Sequence, residues 1–177
     1  MRGKAEQGFT LIELLIVVAI ISIIAAIAVP GLLRARMTGN ETSAIASLKV
    51  TTSSQVAYSA SCGNGAYAAT YVVLGTPPGG PGTGEGFISM DLGSVVAPQK
   101  SGYNFNLVAG AGSGAGPLDC RGTATITAYY ASAVPMTVNT TGTRSFAVNA
   151  GNTIWQNTAN AAITEPFTAS ATVTPIQ

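Results

Sequence analysis

One carboxylate stands inside an otherwise apolar stretch near the start of the chain. From Phe9 to Leu33 the polar interruptions are Thr10, Glu13 and Ser22, and such a stretch exceeds the about 20 apolar residues that a bilayer-spanning helix needs. A charged side chain inside a membrane is costly and requires a partner or a route to the surface. Glu13 is therefore the first candidate for function, either as a paired carboxylate in an assembly or as a side chain that snorkels to the lipid headgroups.

The side chains that carry most enzyme chemistry are absent or dispersed. The 177 residues contain no histidine, seven thinly spread carboxylates and two cysteines, Cys62 and Cys120. The separation of these cysteines does not fit a CxxC redox or zinc motif, and no nucleophile has a base at a recognisable spacing. We therefore expect no enzyme activity, no catalytic residue, no cofactor and no metal site.

The composition also argues against binding of nucleic acid. The chain is 47% hydrophobic and 8% charged, with a formal net charge of +1, whereas a typical soluble domain is about 25% charged. No cluster of Lys and Arg with interleaved aromatic residues occurs in the sequence. Long-range attraction to a phosphate backbone is therefore not supported.

Two general explanations of the apolar stretch fit it incompletely. In a secretory signal peptide, Arg2 and Lys4 would form the basic region and Ala26–Ala28 would offer the cleavage site, but the apolar region of such a peptide is usually about 7–15 residues long. In a plain membrane anchor, Glu13 would cost ~2.5–3.5 kcal/mol at the helix centre and less near an end, where it lies.

A third explanation comes from a family resemblance. The residues from Gly8 to Leu14, GFTLIEL, follow a short basic leader and precede an apolar run that contains Pro30. They resemble the processing site of type IV prepilins and type II secretion pseudopilins. In that family a membrane aspartyl peptidase cuts after the glycine, and the same enzyme methylates the new N-terminal amine. The resemblance implies cleavage between Gly8 and Phe9, N-methylation of Phe9, and a role in assembly for Glu13.

The implied cleavage supplies a partner for the intramembrane carboxylate. A new α-amine at Phe9 would have a pKa of about 8 when unperturbed. In a bundle of subunits, the Phe9 amine of one subunit would pair with Glu13 of its neighbour. Such a pair would set the axial register, as a buried polar residue does in a coiled coil.

The helix that must position these residues is predicted to be long. Beyond Pro30 the pattern becomes amphipathic, with an apolar face and polar positions that include Glu41, Lys49 and Gln55. The predicted apolar face consists of Leu33, Met37, Ile45, Leu48 and Val56. We expect one helix from about Phe9 to about Ala60, roughly 75 Å long at 1.5 Å per residue, with a kink at Pro30 and a second irregularity at Gly39.

After Cys62 the pattern becomes that of short β-strands joined by turns. The predicted strands are Tyr67–Leu74, Tyr103–Val108, Thr123–Ala131, Arg144–Asn149 and Thr153–Asn157. Ala150-Gly151-Asn152 is predicted to be a hairpin turn between the last two. The fold class is therefore α+β: a long N-terminal helix, half of it apolar and half amphipathic, packed on a small antiparallel sheet, as in the pilin lollipop that the resemblance implies.

Three further features have structural predictions. The glycine-rich stretches Gly75–Gly86 and Gly110–Gly116 are predicted to be surface loops, since neither has the sequence context of a phosphate-binding loop. Cys62 and Cys120 are predicted to form a disulfide in an oxidising compartment, with free buried cysteines as the alternative. Four scattered carboxylates are interpreted as isolated surface charges rather than a calcium site: Glu85, Asp91, Asp119 and Glu165.

The resemblance to prepilins thus implies a structural subunit of a type IV pilus-like filament, serving adhesion, motility or DNA uptake. A type II secretion pseudopilin is the alternative, and a secreted enzyme is a third option. The expected segments are a leader at 1–8, a membrane and filament-core helix at 9–33, and an extracytoplasmic head at 34–177. The expected partners are further copies of the chain in a helical filament, the prepilin peptidase, an inner-membrane assembly platform and, before assembly, membrane lipid.

Overall fold

The computed structural model describes residues 8–176, and its first element is a single long helix. Helix α1 spans Leu11–Ser61 and contains 51 residues, so it begins two residues later and ends one residue later than predicted. Of the predicted leader only Gly8 falls within the described residues. Pro30 lies inside this helix, and the kink there stays a prediction.

Both ends of α1 have a local cause in the sequence. At the start, the Thr10 hydroxyl accepts from the Glu13 N–H at 3.3 Å, which is the contact of an N-cap residue. At the other end, the Gly65 N–H reaches back to the Ser59 carbonyl at 3.0 Å. Asn64 and Gly65 have φ values of 49° and 86°, and this left-handed conformation stops the helix.

The structure divides after Arg36 into two compact units, and the second contains the β-structure. We call its described part, residues 37–176, the head. Its main sheet is antiparallel with strand order β2-β3-β5-β6-β7-β8, and β1 pairs with β4 separately. The elements after α1 are β1 Tyr67–Ala68, α2 Tyr71–Gly75, α3 Met90–Gly93, β2 Gln99–Lys100, β3 Tyr103–Ala109, β4 Thr125–Ile126, β5 Tyr129–Pro135, β6 Ser145–Asn149, β7 Trp155–Asn157 and β8 Val173–Pro175.

The predicted fold class is confirmed, including the hairpin at Ala150-Gly151-Asn152. There the Asn152 N–H donates to the Asn149 carbonyl at 3.0 Å, and β6 and β7 pair on either side. The sequence pattern did not indicate the short edge strands β2 and β8, because two or three residues are too few to show an alternation.

Two strand predictions were wrong in part. Of the predicted strand Tyr67–Leu74, the second half is helix α2, because Thr70 caps a turn in which Tyr71 and Leu74 both face the core. The predicted strand Thr123–Ala131 is divided into β4 and the start of β5. Between them the Thr127 N–H donates to the carbonyl of Gly114 at 3.1 Å, so the glycine-rich loop takes a donor that a continuous ladder would use.

The predicted apolar face of α1 was also wrong in part. Val56 is 51% exposed, and Gln55 beside it is completely buried. The reason is that the Gln55 amide pairs with strand β1, accepting from the Ala68 N–H and donating to the Ala68 carbonyl, both at 2.9 Å. The buried face of α1 consists of Glu41, Ala44, Ser47, Leu48, Thr51, Ser54, Gln55 and Tyr58.

Aromatic side chains from the sheet complete the core against this helix. Tyr103 and Phe105 of β3, Tyr129 of β5 and Phe146 of β6 are all at most 1% exposed. Each such ring buries a large apolar surface, so the distal half of α1 and the sheet share one core.

Candidate assembly site at the start of the long helix

The segment that precedes α1 presents the predicted processing site in an open conformation. Phe9 is 86% exposed, and a side-chain carbon added to Gly8 would meet no atom of the described residues within 4 Å. Both residues precede the first helical residue, Leu11. The Gly8–Phe9 peptide bond is therefore outside the helix and sterically free among the described residues.

Glu13 lies in the first turn of α1 and has a partner in its own chain. Its carboxylate oxygen Oε2 accepts from the Thr10 N–H at 2.9 Å and from the Thr10 hydroxyl at 2.6 Å. Since the Thr10 hydroxyl also accepts from the Glu13 N–H, the two residues form a reciprocal capping box. This arrangement satisfies two backbone donors that would otherwise lack partners at a helix start.

The sequence interpretation missed Thr10 as a member of this site. The signal was present, because Thr10-Leu11-Ile12-Glu13 matches the capping-box pattern of Ser or Thr followed three residues later by Glu. Within the described residues no donor reaches the other carboxylate oxygen, Oε1 of Glu13. The capping box therefore occupies only one of the two carboxylate oxygens with donors from the described residues.

The helix that follows exposes its apolar side chains on every side. Those between Leu11 and Leu33 range from 48% exposed at Val17 to 78% exposed at Ile27. An 18-residue window of α1 has a mean hydropathy of 3.0, and α1 is long and apolar enough to cross a membrane. A helix that is apolar all round must be buried in lipid or among other helices.

The two cysteines belong to the second unit and are joined by a disulfide. Cys62 directly follows α1, Cys120 precedes β4, and their Cα atoms lie 4.8 Å apart. The Cys120 N–H also donates to the Cys62 carbonyl at 2.7 Å. The bridge fixes the end of the helix to the loop that leads into the small ladder of β1 and β4.

Asp119, next to this disulfide, is not the isolated surface charge that the sequence suggested. It is 5% exposed and accepts from the Tyr58 hydroxyl at 2.8 Å and from Nη2 of Arg121 at 2.9 Å. Arg121 continues to the carbonyls of Val73 and Thr76 at 3.1 and 2.8 Å. The cluster thus connects α1, the disulfide and the end of α2.

The other carboxylates lie apart from one another. Asp91 forms an ion pair with Lys100 at 2.6 Å, and Glu165 accepts from the Ala111 N–H at 2.6 Å and from the Asn149 amide at 2.7 Å. In the part of the chain that the structure describes, no three His, Cys, Asp or Glu residues come together as metal ligands would. Asp91 and Glu165 therefore have partners within the head, whereas Glu85 has none among the described residues, as expected for an isolated surface charge.

Comparisons with known proteins match the N-terminal segment. Residues 3–29 match the family model described as the prokaryotic N-terminal methylation motif. The chain is also similar to the type IV wide pilus major component PilA4 of Thermus thermophilus, with 59% identity over 39 residues. That match covers 22% of this chain and 30% of PilA4, so the chain spans less than a third of its relative's length. No solved structure matches the chain.

The methylation motif covers the predicted processing site, the capping box and most of the apolar run. The structure adds the long helix and the antiparallel head with its disulfide. The N-terminal segment of the chain thus carries the prokaryotic N-terminal methylation motif and is similar to that of a type IV pilus component.

Proposed function

We propose that this chain is the major structural subunit of a type IV pilus-like filament. The observation that carries the proposal is the apolar helix from Leu11 to Leu33, which is exposed on every side and has a single carboxylate in its first turn. Outside a bilayer, a helix of this kind is stable only when other apolar helices surround it. Copies of the same chain supply those helices in a filament.

Processing would prepare this helix for assembly. The prepilin peptidase would cut the exposed Gly8–Phe9 bond and methylate the new amine of Phe9. The freed amine would reach Glu13 of a neighbouring subunit, whose Oε1 has no donor among the described residues. Because an unpaired charge in a low-dielectric bundle is strongly unfavourable, this pairing would select one axial register.

Membrane insertion and filament assembly would involve two further partners, the inner membrane and an assembly platform. The precursor would be anchored in the inner membrane by residues 9–33, with the head on the periplasmic side and the leader, residues 1–8, in the cytoplasm. An inner-membrane assembly platform would transfer processed subunits from lipid into the growing filament. The name of PilA4, a major component of a wide pilus, supports a principal building block over a minor one.

A pseudopilin of a type II secretion system is the second candidate, since it would use the same processed helix. The two are distinguished by filament length, because a pseudopilus is a short periplasmic structure. We give preference to the exposed pilus, because the head carries few charges and long loops rich in Gly, Ser and Thr. Adhesion, motility and DNA uptake are the activities that such a pilus would serve.

Mass spectrometry and electron microscopy together test the proposal. The mature chain is expected to begin at Phe9 with one added methyl group, and sheared cell fractions are expected to contain filaments made of this chain. The Gly8→Val variant is expected to retain its leader. A mature start near Val29 would establish a secretory signal instead, and filaments confined to the periplasm would favour the pseudopilin.

A further inference from the structure

Most charged side chains of the head have a partner within it. Between Met37 and Ile176 there are nine charged side chains, and six of them form three ion pairs: Asp91 with Lys100, Asp119 with Arg121, and Glu41 with Arg144. Glu165 is held by two hydrogen bonds. Among the described residues, the side chains of Lys49 and Glu85 have no such partner, and they are opposite in sign.

Lys49 stands on the exposed face of the distal half of α1. We call this face the helix ridge; its members are Thr42, Ala46, Lys49, Ser53, Val56 and Ala60. At 100° per residue these positions fall on one side of the helix, and Lys49 is the one charged residue among them. Three of the six members, Thr42, Lys49 and Ser53, are polar and the other three are apolar, so the helix ridge presents small side chains around a single cation.

Glu85 lies in a groove elsewhere on the surface of the head. We call it the loop groove; it has a volume of about 750 Å³ and is lined by Val72, Glu85, Phe87 and Met90 together with Gly75, Gly82, Gly84, Gly86 and Gly93. Met90 is 66% exposed and Val72 is 36% exposed. The many glycines leave the groove without bulky walls, so a helix with small side chains can approach its backbone closely.

The two surfaces differ from each other, as the contacts of an open filament require. An interface that joins two different patches of identical subunits generates an open helical assembly when the rotation does not close a ring. The helix ridge and the loop groove are such a pair: the ridge has small side chains and the groove is rich in glycine. Each carries one charge with no ion-pair partner among the described residues, Lys49 on the ridge and Glu85 in the groove.

We propose that the helix ridge of one subunit docks in the loop groove of a second copy of the same chain, with Lys49 paired to Glu85 across the interface. The proposal rests on the filament function proposed above and assigns that filament a contact between heads. The apolar residues Val56, Val72 and Met90 supply the buried surface. The ion pair at the rim supplies register and partner choice more than affinity.

A charge exchange in the full-length precursor tests this contact. Lys49→Glu and Glu85→Lys each place like charges opposite one another, so each single variant is expected to lower the filament yield in sheared fractions by about ten-fold or more. The double variant restores an attractive pair and is expected to return to within about three-fold of the original yield. Yield is measured by quantitative immunoblot and electron microscopy, with total subunit as the reference.

The Asp91–Lys100 pair provides the matched control, because both of its members are partly exposed and pair within one head. Asp91→Lys combined with Lys100→Glu is expected to leave the filament yield unchanged. A zero-length carbodiimide reagent applied to filaments of mixed isotopic labelling is expected to join the Lys49 peptide of one subunit to the Glu85 peptide of another.

The outcomes separate this contact from the function on which it rests. Filaments of normal yield from both single variants, or a double variant that is as deficient as the singles, would overturn the contact while leaving the filament proposal intact. A carbodiimide product that joins Lys49 and Glu85 within one subunit would also overturn it. Absence of filaments from the unaltered chain would instead overturn the proposed function, and the contact with it.

Discussion

Arg144, just before β6, forms an ion pair with Glu41 of helix α1 through two of its guanidinium nitrogens. Nε and Nη2 of Arg144 both donate to Oε2 of Glu41, at 2.9 and 2.6 Å. The second carboxylate oxygen accepts from the N–H and the hydroxyl of Thr143, at 2.8 and 2.7 Å. Since Glu41 is only 5% exposed, a buried and fully occupied carboxylate fixes the helix to the sheet.

This arrangement predicts that the head loses stability in acid. Burial raises the pKa of Glu41, but the hydrogen bonds from Thr143 and the charge of Arg144 together lower it below its ordinary value of 4.5. Burial likewise raises the pKa of Asp119, yet Thr123, Arg121 and Tyr58 bring it down to about 2. A carboxylate whose pKa is lower in the folded state stabilises the fold above its unfolded pKa, and that stabilisation is lost as the pH falls through the folded value.

The free energy of unfolding is therefore expected to decrease from about pH 5 to about pH 2. Glu41→Gln is expected to be less stable than the unaltered chain at pH 7, by about 1–3 kcal/mol, and to show a shallower dependence on pH. Chemical denaturation of the full chain in a non-ionic detergent, followed by tryptophan fluorescence, measures both. An unchanged pH profile in Glu41→Gln and in Asp119→Asn would contradict the assignment of these two carboxylates.

The buried polar residues of α1 show where prediction from sequence reached its limit. The length of α1 followed from a helical pattern that continues through Pro30 and Gly39, and the processing motif followed from adjacent residues, so both were accessible from the sequence. The sequence did not show whether Gln55 or Val56 faces the core. That outcome depends on the backbone groups of Ala68, with which the Gln55 amide forms hydrogen bonds. A buried polar group is favourable only with its partner, and that partner is distant in sequence.

The candidate site likewise separates features set by neighbouring residues from features set by contacts distant in sequence. Glu13 was identified from its cost in a membrane, and its contact with Thr10 three residues earlier was readable from the capping-box spacing. The division of Thr123–Ala131 was not readable, since it depends on the Gly110–Gly116 loop that supplies competing acceptors. Local spacing therefore indicated the site, whereas strand limits depended on tertiary contacts.

The disulfide is expected to contribute a large share of the stability of the head. Cys62 and Cys120 are separated by 58 residues in sequence, and closing a loop of that length is worth ~4 kcal/mol in chain entropy. Reduction, or replacement of both cysteines by serine, is expected to lower the free energy of unfolding by about that amount. Denaturation with and without reductant measures the difference.

The oxidation state of the exported protein is checked separately. Intact mass is determined after alkylation with and without prior reduction. We expect no alkylation of native, unreduced material and two alkyl groups after reduction. Two alkyl groups on the unreduced protein would contradict a disulfide in the exported chain.

The space around two glycines predicts opposite effects of their replacement by alanine: Gly75 lies where α2 packs closely on α3, and Gly39 lies in an open part of α1. A methyl group on Gly75 would overlap the carbonyl oxygen of Gly93 and lie 2.6 Å from its Cα, so Gly75→Ala is expected to destabilise the head by about 1–3 kcal/mol. Gly39 lies in α1 with no atom of the described residues within 4 Å of an added methyl group. Gly39→Ala is therefore expected to stabilise by up to about 1 kcal/mol.

Thermal unfolding of the two variants compares these effects directly. A Gly75→Ala variant as stable as the unaltered chain would show that α2 and α3 separate at little cost. Equal losses in both variants would show that glycine is needed in α1 for a reason other than space, such as the irregularity that the sequence suggests at Gly39.

Glu13 is expected to be necessary for assembly but not for folding of the head. Glu13→Ala makes the apolar helix more hydrophobic, so insertion of the precursor into the membrane is expected to be retained. In a bundle, however, the variant lacks the carboxylate that would pair with a neighbouring Phe9 amine, and that amine would be buried without a partner. Because removing one member of a buried pair costs about 3–5 kcal/mol, we expect the filament yield in sheared fractions to fall sharply.

Two further variants separate assembly from helix capping. Thr10→Ala removes the hydroxyl that caps α1 but leaves the carboxylate of Glu13 in place, so its effect is expected to be the ~1 kcal/mol of a lost cap and its filament yield only moderately reduced. Ser22→Ala, whose hydroxyl donates to the Val18 carbonyl within the same helix, is expected to assemble normally. If Glu13→Ala and Thr10→Ala reduced the yield equally, the carboxylate would act through the helix cap alone. If Glu13→Ala gave filaments of normal number and helical parameters, apolar packing would set the register without any ion pair.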